Sequence, residues 1–265
     1  MGGMKHKIWI IAGSALALLA VFMLAALPSL SRQKAGKKVT VCILDSGCSD
    51  HPGEGESFLG EGDDLTDPIG HGTGICALIR QAAPEANVVM LKCFDSRDTV
   101  NEEVIVAALR TAVDTYHADV INMSWTIPKE SDILYEAVCY AHDRGAILVA
   151  CTGNLSVSTG LGTVAYPAAW EEVIGVAGVD RNEAGAPKTS LWYLYGEAVD
   201  FCARGDWSED KGSSYAAARV SGLIAQALQS GVKPSEVSDF LASTALDMGE
   251  TGFDNRFGWG YLETP

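Results

Sequence analysis

The chain contains the stretch Lys211-Gly-Ser-Ser-Tyr-Ala-Ala-Ala-Arg-Val-Ser-Gly222, followed by Leu-Ile-Ala-Gln-Ala-Leu228. It begins polar and then takes on the apolar, alanine-rich pattern of a buried helix that ends near Gly231. A serine at the start of this helix lies among backbone N–H groups without intrahelical acceptors, at the positive end of the helix dipole. Both favour a developing negative oxygen and so predict a nucleophile, although serine is also a common helix N-cap.

From Val39 onward, short apolar strands alternate with amphipathic helices. Strands are predicted at 39–44, 87–93, 119–124, 147–151 and 173–177, and helices at 71–79, 101–116 and 133–144, besides the one that begins at Ser214. Strands that are apolar on both faces indicate a three-layer α/β domain, in which helices cover both faces of a mostly parallel, twisted sheet. Such sheets bind their ligands at the carboxyl ends of the strands.

Four polar residues stand at the boundaries of these predicted elements. Asp45 follows the first strand, Asn154 follows the strand at 147–151, and His71 and Ser214 open helices. These side chains can therefore converge in one cleft. His71 would take the proton of Ser214 while Asp45 fixes the imidazole, and Asn154 with the Ser214 N–H would hold a tetrahedral oxyanion. The pattern predicts nucleophilic acyl transfer.

The blocks that carry these residues resemble the subtilisin-like serine peptidases, or subtilases. They are Asp45-Ser-Gly47, His71-Gly-Thr73, Thr152-Gly-Asn154 and Gly212-Ser-Ser-Tyr-Ala216, and the triad has the family's order Asp, His, Ser. The resemblance runs from about Val39 to Leu262. It implies a subtilisin-like fold and a serine endopeptidase that works through an acyl-enzyme. Asp45, His71 and Ser214 would be its catalytic triad and Asn154 its oxyanion donor, with Ser213 where the family has threonine.

The resemblance also implies where a substrate would bind. In the family, two segments that follow strands form the walls of the pocket for the residue before the scissile bond. The matching residues are Ser124, Trp125, Thr126, Thr152 and Gly153, with Ala165 at the floor. A small floor residue leaves room for a sizeable apolar side chain. Trp125 has two equal interpretations, pocket wall or ordinary core aromatic.

No metal and no cofactor is expected. The segment between Ile79 and Asn87 lacks the loop that builds the tight calcium site of secreted subtilisins, and no Cys/His pattern indicates zinc. The segment from Glu54 to Asp67 holds six acids (54, 56, 61, 63, 64 and 67) without the spacing of a calcium loop. It is interpreted as a solvated surface loop, with selection of basic substrate residues as the alternative.

Residues 1–38 form a separate segment ahead of the peptidase domain predicted at 39–265. Ile8–Leu27 is a run of 20 uncharged residues preceded by Lys5 and Lys7. Its length favours an uncleaved transmembrane helix over a cleaved signal peptide. The side of the membrane stays open. A short basic start before an apolar run favours export and an extracytoplasmic catalytic domain, whereas the basic residues after the run and seven cysteines without paired spacing favour the cytoplasm.

Charge and composition narrow the class of partner. Residues 1–38 hold six of the 19 basic residues and no acid, so residues 39–265 carry 13 basic against 34 acidic side chains, a net charge of −21. This excludes nucleic acid as an expected partner and leaves peptide or protein substrates, with membrane contact through the N-terminal helix. The competing hypothesis is a catalytically silent subtilase fold that acts as a binding or signalling module, since fold alone does not imply activity.

Overall fold

The computed structural model describes residues 38–264 apart from 51–52, 61, 63, 97–99 and 156–162. The transmembrane helix predicted at Ile8–Leu27 lies outside the described residues. Within them, no helix combines the length and apolar character needed to cross a bilayer.

One large sheet runs through the described part of the chain. The strands of this sheet are β1 (Thr40–Asp45), β2 (Glu54–Ser57), β3 (Asn87–Lys92), β4 (Val120–Met123), β5 (Ile147–Cys151), β6 (Val173–Arg181), β7 (Pro187–Lys188) and β8 (Phe201–Arg204). A small hairpin adds β9 (Asp206–Trp207) and β10 (Asp210–Lys211). The order is β2-β3-β1-β4-β5-β6, with β8 parallel beside β6 and short β7 antiparallel to the end of β6. β9 and β10 form the separate antiparallel hairpin.

Helices cover both faces of this sheet. They are α1 (His71–Ala82), α2 (Glu102–Asp114), α3 (Asp132–Asp143), α4 (Ser213–Gln229) and α5 (Val237–Thr244), with a 3₁₀ turn at Pro234–Glu236. Strand β1 pairs with β3 and β4 and is buried on both sides. Its Val41 and Ile43 belong to the core shared with α1 and α4, and its Cys42 and Leu44 to the core shared with α2 and α3. The predicted three-layer, mostly parallel architecture is confirmed.

Local chemistry explains which elements were predictable. Strand β5 has its predicted bounds, and α2 begins after Asn101, whose Oδ1 accepts from the backbone N–H groups of Glu103 and Val104 at 3.1 and 3.4 Å. The loop interpretation of the acidic segment was wrong at Glu54–Ser57, which forms β2 at the sheet edge, parallel to β3. Main-chain pairing creates this strand, and its partly exposed, acidic residues carry no apolar alternation to reveal it.

Helices α1 and α4 pack against each other through a glycine. A Cβ on Gly222 of α4 would lie 2.6 Å from the Ala82 Cβ and 3.2 Å from the Ile79 carbonyl oxygen of α1, so only glycine permits this approach. Since α1 begins with His71 and α4 has Ser214 in its first turn, the close contact restrains the separation of the two residues.

Candidate active site

Asp45 and His71 are in direct contact where β1 ends and α1 begins. Asp45 is fully buried, and its Oδ1 lies 2.8 Å from His71 Nδ1. Because an ionised carboxylate can only accept, Nδ1 carries the proton and the imidazole keeps a lone pair on Nε2. The backbone N–H of Ser46 also donates to Asp45 Oδ1, at 2.7 Å. The carboxylate therefore fixes both the tautomer and the orientation of the ring.

The second oxygen of Asp45 bears on the charge of the imidazole. Asp45 Oδ2 is buried and has no hydrogen-bond partner among the described residues. A buried carboxylate with incomplete hydrogen bonding is stabilised by a positive charge beside it. Proton uptake by His71 supplies that charge. The pair is thus suited to a base that becomes an imidazolium during a reaction.

Asp67 organises the start of α1, a role that the sequence interpretation missed. Its Oδ2 accepts from the backbone N–H and the hydroxyl of Thr73, both at 2.8 Å, and its Oδ1 accepts from the Gly70 N–H at 2.9 Å. The Ser46 hydroxyl lies 2.9 Å from Asp67 Oδ1 and accepts the Gly72 N–H at 3.0 Å. A solvated surface loop was the wrong interpretation for Asp67, because this carboxylate is buried and hydrogen-bonded.

Burial and hydrogen bonding both affect the pKa of Asp67. Burial acts to raise the pKa, but the hydrogen bonds from Thr73 and Ser46 outweigh burial and hold the pKa of Asp67 below its ordinary value. The only sequence signal for this role was the position of Asp67, four residues before His71.

Ser214 lies in the first turn of α4, beside the ends of β4 and β5. Its hydroxyl donates to the Ser124 backbone carbonyl at 3.0 Å and lies 3.9 Å from Cys151 Sγ. Burial raises the pKa of the Cys151 thiol to about 11, so that thiol is neutral beside Ser214 at physiological pH. The Ser124 hydroxyl in turn lies 3.0 Å from the Ser214 carbonyl oxygen, which ties the helix start to the end of β4.

Asn154 faces the same helix start from the end of β5. Its Oδ1 accepts from the Ser213 N–H at 2.9 Å and from the Ser213 hydroxyl at 3.2 Å, while the Gly153 N–H donates to the Ser213 Oγ at 3.1 Å. Because Ser213 holds the Asn154 oxygen, the NH₂ group of Asn154 points away from Ser213.

That direction is towards Gly212. A Cβ on Gly212 would lie 3.4 Å from Asn154 Nδ2, 3.8 Å from the Ser214 backbone nitrogen and 3.9 Å from Ser214 Oγ. Two N–H donors and one hydroxyl thus surround a point that only glycine leaves open. The space has the donors that a tetrahedral oxyanion requires, next to the hydroxyl that would create it.

Tyr215 connects the two halves of the site and was not singled out from the sequence. Its ring centroid lies 5.7 Å from that of His71 with the planes tilted by 46°, and its hydroxyl donates to Asp210 Oδ2 at 3.1 Å. Tyr215 is the residue after Ser214, so this ring contact brings the imidazole to the start of α4. The adjacency to Ser214 was the available signal.

The predicted substrate-binding residues divide into two groups. The first group consists of Thr152, Gly153 and Ala165, which are in contact. The Thr152 carbonyl accepts from the Ala165 N–H at 3.0 Å, and a Cβ on Gly153 would lie 3.6 Å from the Ala165 Cβ. The same Cβ would lie 2.9 Å from Leu194 Cδ1, which adds Leu194, a residue that the sequence interpretation lacked. This forms an apolar corner beside Asn154.

The other group lies at the end of β4. Ser124 contacts Ser214 through its backbone carbonyl, and Thr126 is partly exposed. Trp125 is 6% exposed and packs in the core with α2 and α3. Of its two interpretations, the core aromatic fits this burial. Among the residues that the structure describes, no group of three or more His, Cys, Asp or Glu side chains is arranged to hold a metal ion.

Comparison with known proteins identifies the family. The model of the subtilase family, peptidase family S8, matches residues 36–260. Minor extracellular protease Epr of Bacillus subtilis is 26% identical over 255 residues, which cover 86% of this chain and 38% of Epr. Subtilisin DY of Bacillus licheniformis is 28% identical over 242 residues, 82% of this chain and 86% of that protein.

Solved structures agree with the fold. A lanthipeptide protease superposes with a TM-score of 0.70 at 21% identity, covering 84% of this chain and 86% of that one. Fervidolysin from Fervidobacterium pennivorans, a keratinolytic enzyme, gives a TM-score of 0.72 at 23% identity, covering 85% of this chain and 41% of that one.

The chain belongs to the subtilase family of serine peptidases. By family it is a serine-type endopeptidase. The solved structures show that it has the subtilisin-like fold.

Replacing Asp67 by asparagine tests the role of this carboxylate in holding α1. We expect Asp67→Asn to lower the free energy of unfolding by about 2 kcal/mol at neutral pH, because hydrogen bonds to a charged acceptor are lost. The pKa of Asp67 is lower folded than unfolded, so its stabilisation is full well above the ordinary value of 3.8 and is lost as the pH falls through and below it. The free energy of unfolding, measured in urea from about pH 6 to 3, should therefore decline more steeply with falling pH for the wild type than for the variant. Parallel curves would contradict this role.

Proposed function

We propose that this chain hydrolyses peptide bonds through a triad of Asp45, His71 and Ser214 and a covalent acyl-enzyme. The observation that carries the proposal is the 2.8 Å contact between buried Asp45 Oδ1 and His71 Nδ1, beside a helix that begins with Ser213 and Ser214. A buried carboxylate that orients an imidazole makes the imidazole an effective base for a serine hydroxyl. Family membership assigns the same class of chemistry.

The first half of the reaction forms the acyl-enzyme. The Ser214 hydroxyl rotates away from the Ser124 carbonyl, gives its proton to His71 Nε2, and its oxygen bonds to the carbonyl carbon of the substrate. Asp45 stabilises the resulting imidazolium. His71 then gives the proton to the departing amine nitrogen as the peptide bond breaks, which leaves the acyl group on Ser214.

The second half releases the acid product. Water gives a proton to His71 Nε2 and attacks the acyl carbon, and His71 returns that proton to the Ser214 oxygen as the ester bond breaks. In both tetrahedral states, the negative oxygen accepts from Asn154 Nδ2 and the Ser214 N–H. Ser213 supports this by holding Asn154 Oδ1 through two hydrogen bonds. Asn154 thereby needs no rearrangement at the moment of reaction.

Substrate recognition is proposed at the ends of β4 and β5. The backbone at Ser124, Trp125 and Thr126 would form one wall and Thr152 and Gly153 the other, with Ala165 at the floor. The apolar corner of Gly153, Ala165 and Leu194 supports an apolar side chain before the scissile bond, since these three residues present no charge there.

Serine variants identify the nucleophile. We expect Ser214→Ala to abolish both peptide hydrolysis and covalent labelling by a fluorophosphonate probe. Ser213→Ala, the matched control on the adjacent residue, should keep the label and lose about tenfold in kcat, since one of two bonds to Asn154 is removed. Labelling that depends on Ser213 instead would show that Ser213, and not Ser214, is the nucleophile. A wild-type chain that neither reacts with the probe nor cleaves a peptide library would favour the silent binding module.

Gly212→Ala tests the proposed oxyanion space without removing a reacting group. Gly212 has a φ of 179°, which any residue adopts, and the added methyl would meet its neighbours at 3.4 Å or more. We therefore expect the urea midpoint to stay near that of the wild type. Because the methyl would occupy the space between Asn154 Nδ2 and the Ser214 N–H, kcat should fall by at least about 10², as it does when one oxyanion donor is removed from a subtilisin. Full activity in a normally folded variant would contradict the assignment.

We further propose that Ile8–Leu27 tethers the catalytic domain to a membrane, with that domain on the extracytoplasmic side. The support is the 20-residue uncharged run after Lys5 and Lys7. The full chain should stay in the membrane fraction through alkaline carbonate extraction. The double variant Leu18→Arg with Leu19→Arg should move it to the supernatant, because charges at the centre of a span disfavour insertion.

The side of the membrane is tested by protease protection. Added protease should digest the catalytic domain in intact spheroplasts. Full protection there would place the domain in the cytoplasm, and a carbonate-soluble wild type would refute the tether.

A further inference from the structure

Two cysteines lie between the segments that carry Asp45 and His71. Cys48 is three residues after Asp45, and Cys76 lies on α1, five residues after His71. Both are 1% exposed, and both belong to the core shared with α1 and α4. All seven cysteines of the chain are thiols in this structure. Their spacing along the sequence gave no indication of a pair.

The meeting of Cys48 and Cys76 follows from a close approach of main chains. A Cβ on Gly72 would lie 2.2 Å from the Gly47 carbonyl oxygen, so the first turn of α1 rests directly on the loop after β1. Cys76 lies one helical turn beyond Gly72, on the same face, and therefore faces the next loop residue, Cys48. Each thiol shifts the pKa of the other, as neighbouring side chains do, and the Cys48 thiol also donates to the Asp50 carbonyl at 3.3 Å.

Arg80 extends this contact by a further turn of the same helix face. Its Nη1 lies 3.8 Å from Cys48 Sγ and donates to the Asp50 carbonyl at 3.2 Å. The hydrogen bond from Cys76 lowers the pKa of the Cys48 thiol to about 7 against the effect of burial, and the charge of Arg80 adds to the lowering. The same hydrogen bond and burial raise the pKa of Cys76 well above its ordinary value. Cys48 is thus the more acidic of the two thiols and the one that reacts as a thiolate.

Cys48, although only 1% exposed, lies at the wall of a cavity. This cavity of about 470 Å³ is also lined by Ser49, Gly53, Gly55, Asp64, Leu65 and Thr66. Other cysteines differ: burial raises the pKa of the thiols of Cys42, Cys93 and Cys202. A nucleophilic thiolate with a second thiol in contact is the arrangement that thiol–disulfide exchange requires.

We propose that Cys48 and Cys76 form a dithiol modification site, which a low-molecular-mass disulfide such as oxidised glutathione converts to an intramolecular disulfide. The Cys48 thiolate attacks one sulfur of the oxidant, forms a mixed disulfide and expels one thiolate. The Cys76 thiol then gives its proton to solvent, and its sulfur attacks that of Cys48 and expels the second thiolate. Starting from one thiolate and one thiol, the protein loses two electrons and one proton, and the oxidant leaves as two thiolates.

The new bond would join the loop after Asp45 to the helix that begins with His71. It closes a chain segment from residue 48 to residue 76, which restricts the unfolded state. Oxidation should therefore raise the Tm by about 5–10 °C. This effect is independent of peptide hydrolysis, since it is a change in mass, thiol content and stability.

The test incubates the purified full chain with oxidised glutathione and, separately, with reduced glutathione. We expect oxidation to remove two of the seven thiols that titrate after denaturation. Peptide mapping should find a 48–76 disulfide, and thermal unfolding should show the higher Tm. Seven remaining thiols, a glutathione adduct that persists on Cys48, or a disulfide between other cysteines would each overturn the proposal.

Single variants separate the two roles. Cys76→Ser should stop the reaction at one glutathione adduct on Cys48, whereas Cys48→Ser should leave Cys76 unmodified. Cys139→Ser is the matched control, because Cys139 is the one partly exposed cysteine and lies on α3; it should form the 48–76 disulfide as the wild type does. Should either variant fail to fold, the wild-type mapping alone decides.

Discussion

The contact of the first turn of α1 with the loop after β1 is the constraint on which the site depends. Gly72 rests on the Gly47 backbone, and a side chain at 72 would also come within 3.1 Å of Asp45 Oδ1. This approach lets His71 reach the buried carboxylate at the end of the central strand. Asp67 and Ser46 stabilise it through hydrogen bonds to Thr73 and Gly72. The same contact also brings Cys76 against Cys48.

The other half of the site depends on α4. Its first turn is held by Asn154 and Ser124, which follow β5 and β4, and its middle packs on α1 through Gly222. A parallel sheet places the carboxyl ends of its strands along one edge, so polar residues at several strand ends face one helix start. Distant parts of the chain thereby converge at one edge of the sheet.

The residues that were predictable from sequence stand at the ends of strongly patterned elements. Strand β1, strand β5 and the start of α4 carry apolar patterns whose length and boundaries are local properties of the chain, so Asp45, Asn154 and Ser214 could be placed. Strand β2 could not, because pairing with β3 creates it. Asp67, Tyr215 and Leu194 were missed for a related reason. Their roles arise from contacts with residues far away or around a turn, and no spacing rule reports such contacts.

A structure of the chain inhibited by a peptidyl phosphonate would show whether these residues act together in acyl transfer, since the inhibitor mimics its tetrahedral state. We expect a covalent bond from Ser214 Oγ to phosphorus. One phosphonyl oxygen should lie within hydrogen-bond distance of both Asn154 Nδ2 and the Ser214 backbone nitrogen, with His71 Nε2 beside Ser214 Oγ and Nδ1 still on Asp45. An adduct on another residue, or a phosphonyl oxygen directed away from Asn154 and the start of α4, would contradict it.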